Sequence, residues 1–211
     1  MKPSDLLDPA DRERIVAAVA AAEKTTSGEI VVAVVRACDE YGAAGWRCAA
    51  LLAAAVLLAM AVFLPPMSPA VYLVAQVVAV AVGHVAIRSV VVLRRAFLSE
   101  EMMENCAHRR AAAAFADLGL RYTDRRTGIL ILVALLEHRV VVLADKGIND
   151  ALAPEESWAD VVSLVLDGIE RGDPSGGIVA AVQRCGEILA HPLPATEGDT
   201  DEIRRALLIE D

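Results

Sequence analysis

From Cys48 to Ile87 the chain carries no Asp, Glu, Lys or Arg. Within that stretch two apolar runs, 48–64 and 70–87, are separated by Pro65-Pro66-Met67-Ser68-Pro69. As helices rising about 1.5 Å per residue, the runs span roughly 25–27 Å, close to the ~30 Å hydrocarbon core of a bilayer. The three prolines cannot continue a helix, so they force a tight reversal. Buried core helices are the alternative. They would need a core larger than the rest of a 211-residue chain could cover. The stretch is therefore read as a transmembrane helical hairpin facing the lipid bilayer. Arg47 precedes it, Arg88, Arg94 and Arg95 follow it, and the tip has no basic residue. By the positive-inside rule, both termini are expected in the cytoplasm and the protein in the cell (inner) membrane. On the second span, Ala75, Ala79 and Gly83 form a stripe of small residues of the kind that lets helices pack closely in lipid. Ala50, Ala54, Ala55 and Ala59 offer a counterpart on the first span, and an alanine-rich composition would give the same spacing by chance. His84, one turn from Arg88, reads as an interfacial histidine rather than a proton relay.

Mean hydropathy is +0.47 although 23% of residues are charged, so the apolar excess sits in the hairpin. Net charge is −9 with no basic run, which argues against nucleic acid as a partner. Cys38, Cys48, Cys106 and Cys185 are scattered without a CxxC, as expected of reduced thiols, with a lone disulfide left open. The charged first residues, Met1 to Arg14, do not read as a signal peptide.

Outside the hairpin, Asp8-Pro9 signals a helix start and Thr26-Ser27-Gly28 its end. Glu29–Arg36 is almost continuously apolar, as a strand covered on both faces should be. A helix is expected over about 97–118 with Ser99 as cap, then a polar turn over 121–126. Strands over 128–135 and 139–144 form a hairpin around Leu136-Glu137-His138. Helices over 154–170 and 174–190 follow, the second opened by Asp173-Pro174, and residues 192–211 read as an acidic tail. The fold class is α/β, a sandwich on a small mixed sheet. The first two strands are parallel and the third is antiparallel to the second. Residues 1–46 and 96–191 are two parts of one domain that the hairpin, 47–95, interrupts.

The chain resembles the TPM-domain family, in the bacterial membrane branch with a transmembrane hairpin inside the domain. The resemblance rests on Thr26–Val32 (TSGEIVV), Arg109–Leu120 (RRAAAAFADLGL), Arg126–Ile131 (RTGILI) and Glu137–Ile148 (EHRVVVLADKGI). Trp158, Gly176-Gly177-Ile178 and Gly186–Leu189 fit the helical half. The family implies a Rossmann-like α/β/α sandwich. Some thylakoid relatives are described as acid phosphatases that bind a divalent cation. Their ligands do not map residue by residue here, so that activity is not carried over. The chain also reads Asp201-Glu202-Ile203-Arg204 where relatives tend to have Asn-Glu-Leu-Pro.

No HExxH, GxSxG or Walker motif is present, and no catalytic residue is assigned. The topology gathers Glu29, Asp124, Asp145 and Asp150, with Asn149, at one end of the sheet. Oxygen ligands of this kind suit Ca2+ or Mg2+, and Arg125 and Arg126 could hold a phosphate beside them. Solvated or arginine-paired carboxylates are the plainer alternative. The expected function is a membrane-anchored, non-catalytic interaction or assembly module at the cytoplasmic face, meeting another membrane protein or itself. The alternative is a divalent-metal-dependent phosphatase.

Overall fold

The computed structural model describes residues 2–39, 41–89, 95, 98–152, 157–195, 203 and 206–211, with only the backbone of residues 44, 88 and 89. It divides into two compact units, Met1–Cys38 with Glu104–Asp211, and Asp39–Met103.

In the first unit, helix α1 covers Pro3–Leu6 and α2 covers Pro9–Glu23. A reciprocal capping box between Asp8 and Asp11, with proline in the first turn, starts α2. Strand β1 (Glu29–Val35) pairs in parallel with β2 (Gly128–Ala134), Glu29 opposite Gly128. A tight turn with His138 at φ 50° leads to β3 (Arg139–Ala144), antiparallel to β2. All residues of β1 and β2 are buried, which explains their unbroken apolar sequence.

The sheet separates two cores. Ile30, Val32, Val34, Ile129, Ile131 and Val133 pack with residues of α2 and of the two later helices, α7 (Ala159–Glu170) and α8 (Pro174–Ala190). Val31, Ala33, Val35, Leu130 and Leu132 pack instead with Ala107, Ala111, Ala114 and Phe115 of α5 (Glu100–Asp117). The alternation of a strand's side chains thus builds an α/β/α sandwich. Between α7 and α8 the backbones nearly touch: a Cβ on Gly168 would lie 2.5 Å from the Cα of Gly177.

Three expectations change. Residues 192–211 are not only a tail: Leu207–Glu210 form β4, parallel to β1 with Val32 opposite Leu207, giving the order β3-β2-β1-β4. The acidic residues before it hid a short apolar run that covers the otherwise open edge of β1. The segment expected only to bring Asp145, Asn149 and Asp150 to one end of the sheet forms a helix, α6 (Lys146–Ala151), which Asp145 caps. Helix α7 starts at Ala159 rather than at Pro154. Residues 153–156, Phe97, Val90–Leu93 and 201–202 with 204 lie outside the described residues.

The second unit contains α3 (Gly42–Phe63) and α4 (Pro69–Ser89), joined through the proline-rich reversal. Both are long and apolar enough to cross a membrane, with mean hydropathy 2.1 over Gly45–Phe63 and over Pro69–Ile87. Only 17% of each of these spans is buried within the chain, whereas a core helix of a soluble protein would be mostly covered.

Candidate functional site

The end of the sheet where β1 starts holds the polar residues singled out above. Thr26, Ser27, Thr123 and Thr127 are buried there; the three threonine hydroxyls are hydrogen-bonded, and the Ser27 Oγ has no partner among the described residues. Thr127 Oγ1 donates to the Ser27 carbonyl at 2.8 Å, and Thr123 Oγ1 accepts from Thr127 N–H at 3.0 Å. Thr26 Oγ1 donates to the Leu193 carbonyl at 2.7 Å and accepts from Gly28 N–H at 3.1 Å. A buried donor or acceptor left unsatisfied costs about 1–3 kcal/mol, so the Thr26–Glu29 sequence reads here as a hydrogen-bonded strand entry.

Glu29 is 7% exposed at the first position of β1, and its N–H donates to the Thr127 carbonyl at 3.0 Å. Asp145 stands two strands away, its N–H bonded to the Gly128 carbonyl at 2.9 Å. Oδ1 of Asp145 is hydrogen-bonded, and Oδ2 is paired by charge without a hydrogen bond. Oδ1 accepts from Lys146 N–H at 2.8 Å, and Oδ2 lies 3.0 Å from Arg126 Nε. Arg126 itself sits at φ 58°, a left-handed conformation that costs a non-glycine residue of order 1 kcal/mol or more. The ion pair and a 3.0 Å bond from Gly147 N–H to the Arg126 carbonyl hold it there. Gly147 cannot be replaced, since its Cβ would fall 2.3 Å from the Arg125 carbonyl. Asp124, Arg125, Asn149 and Asp150 are exposed. The structure therefore joins Arg126 to Asp145. Among the described residues, no three His, Cys, Asp or Glu side chains come together in a set able to hold a metal ion.

The opposite end of the sheet carries a buried carboxylate that sequence reasoning passed over. Glu137, in the β2–β3 turn, is 1% exposed, and its Oε1 accepts from Cys38 N–H at 2.9 Å. It ties the segment leaving β1 to the turn. Burial, and then the charge and hydrogen bond of Glu137, push the Cys38 thiol up from 9.0 to about 12, with Arg110 opposing. A glutamate between two strands reads as a solvated turn residue, so only the buried neighbours could have revealed it.

In the hairpin, Ala79 and Gly83 are buried and Ala75 is half-buried on the face that α4 turns to α3. A Cβ on Gly83 would lie 2.8 Å from the Ala49 Cα, so the helices meet backbone to backbone at that level. The first-helix counterpart is corrected: Ala50, Ala54, Ala55 and Ala59 are exposed, and Gly45, Cys48, Ala49 and Met60 are buried instead. The ring of His84 packs over Gly45 and 5.2 Å from the Trp46 ring. Large apolar side chains cover the outward faces, among them Leu58 at 66%, Phe63 at 82% and Leu73 at 67% exposed.

Compared with known proteins, residues 85–188 match the family model described as the TPM domain. No curated protein matches the chain. Among solved structures, the NMR structure of BA42 protein from the psychrophilic bacterium Bizionia argentinensis is similar with a TM-score of 0.59. Sequence identity is 20%, over 97% of this chain and 95% of that one.

Proposed function

Taking as premise that this is a TPM-domain protein, we propose that it is an interaction or assembly module anchored in the cell membrane by α3 and α4. The α/β/α domain lies at the cytoplasmic face, and the partner is another membrane protein or a second copy of the chain. One observation carries this reading. Two helices, each with a 19-residue apolar span, pack on each other through small residues and turn their large apolar side chains outward, with only 17% of each span buried. Water would penalise that surface by about 25 cal/mol per Å2, whereas lipid tails would cover it. The arginines at 47, 88, 94 and 95, against none in the tip, favour the orientation.

The test uses a chain whose four native cysteines are replaced. Ser68→Cys, in the tip, should react with an impermeant maleimide on intact cells. Tyr122→Cys, 80% exposed on the domain, should react only after lysis. Labelling of both positions only after lysis, with the chain extracted by alkaline carbonate, would remove the anchor from the proposal. Co-purification from mild detergent then tests for a stable partner.

A further inference from the structure

β3 is an edge of the sheet, and its hydrogen-bonding direction follows from one contact. Asp145 N–H bonds the Gly128 carbonyl, and in an antiparallel ladder alternate residues face the partner strand. Leu143 and Val141 therefore bond β2, while Val140, Val142 and Ala144 turn their backbone groups outward. The Ala144 carbonyl is taken by Asn149 Nδ2 at 2.9 Å. The N–H and C=O groups of Val140 and Val142 remain, and no described strand lies beyond them.

Proteins that keep such an edge single blunt it with proline, a bulge, an inward charge or lysines. β3 has no proline, lysine or bulge, and its one charge is Arg139 at the first position, whose Nε is buried. From Val140 to Ala144 it is uncharged, and its six pairs with β2 run one to one. The outward groups are also self-complementary. Laid antiparallel against a second β3 about a two-fold axis at Val141, Val140 meets the other copy's Val142 and the reverse. Four backbone hydrogen bonds then close a symmetric pair. A second copy satisfies this edge without further adjustment, because the pattern repeats on itself.

We propose that two copies of the chain join through their β3 strands, making one eight-stranded sheet with Val141 on the axis. This rests on the assembly reading above and names its partner and surface. At the axis the two Val141 residues form a non-hydrogen-bonded pair with Cα atoms about 4.5 Å apart, within reach of a disulfide.

The experiment uses the full chain in mild detergent, with the native cysteines replaced. Under mild oxidation Val141→Cys should form a covalent dimer. Leu143→Cys, which would face Arg139 of the other copy, should form much less. Adding Val142→Pro to Val141→Cys removes an outward N–H and should abolish the cross-link. Val142→Lys should do the same without constraining the backbone. A Val141→Cys yield no higher than that of Tyr122→Cys, which reports random collision, overturns the interface. A chain that is dimeric by mass yet uncross-linked at Val141 also overturns it, while leaving the assembly reading in place. A Val141 cross-link in a chain found outside the membrane fraction supports the interface and removes the anchor alone.

Discussion

Cys185 is buried in the core between α8 and its neighbours, and its thiol, like that of Cys38, is pushed up from 9.0 to about 12. Burial is the main cause in both, and for Cys185 the nearby Arg184 opposes it. The folded state thus favours the neutral thiol. The unfolded chain ionises near pH 9, so it releases protons while the fold still holds them. That stabilisation is fully present below pH 9 and disappears as pH rises towards 12. Urea midpoints should fall over this window, and Cys185→Ala should fall less steeply than the parent; parallel curves would contradict the burial argument. Asp145 gives a second prediction. As cap of α6 and ion partner of Arg126, its replacement by alanine should cost about 1 kcal/mol in denaturant unfolding, without added metal. A cation site would behave oppositely, since removing a repelled carboxylate stabilises the metal-free fold. A rise in stability for Asp145→Ala would favour a Ca2+ or Mg2+ site there. The position of Asp145 at a strand end was legible from RVVVLAD. Its partner was not, because only the left-handed turn at Arg126 brings the guanidinium back to it.

Among the elements, β1, β2, β3 and α8 were readable because continuous apolar runs and Asp-Pro starts mark them without help from distant contacts. β4 was not, since four half-buried residues carry too little periodicity and gain strand geometry only from the edge of β1. Its last residue also forms an ion pair from Glu210 to Arg110 of α5, a link between positions 100 residues apart that no local pattern encodes. The hairpin shows the same division. Its two helices follow from composition, but which alanines face inward depends on the helices' rotation about their axes. Gly83 tests the face found. Leucine there must push the Ala49 backbone away, and overpacking of this kind costs about 1–3 kcal/mol. Gly83→Leu should therefore lower the thermal midpoint of the detergent-solubilised chain by several degrees. Ala54→Leu, on the exposed face of α3, should leave it within a degree or so. Equal effects would mean that the helices do not meet at Gly83.

The whole chain places a helical pair between β1 and the helix that precedes β2, two strands that pair residue for residue over seven positions. Such an insertion interrupts a domain in sequence without interrupting its cores. Among the described residues, both apolar clusters of the sandwich are built from positions up to Cys38 and from Ala107 onward. The sandwich therefore has its own source of stability, and the hairpin serves it as a long loop. Loop closure depends only weakly on length, so exchanging about sixty residues for about twelve should change the closure cost by only 1–2 kcal/mol. A Gly/Ser segment of that size spans roughly 17–21 Å on average, enough for a typical connection across one face of a small domain. Replacing residues 40–98 by such a linker should yield a water-soluble protein that unfolds in one transition, with the same midpoint by far-UV and near-UV circular dichroism. Two separate transitions would show that residues before and after the hairpin fold as independent parts. A single transition with its near-UV signal lost would show that the hairpin, rather than the sandwich cores, fixes the packing of β1 against β2.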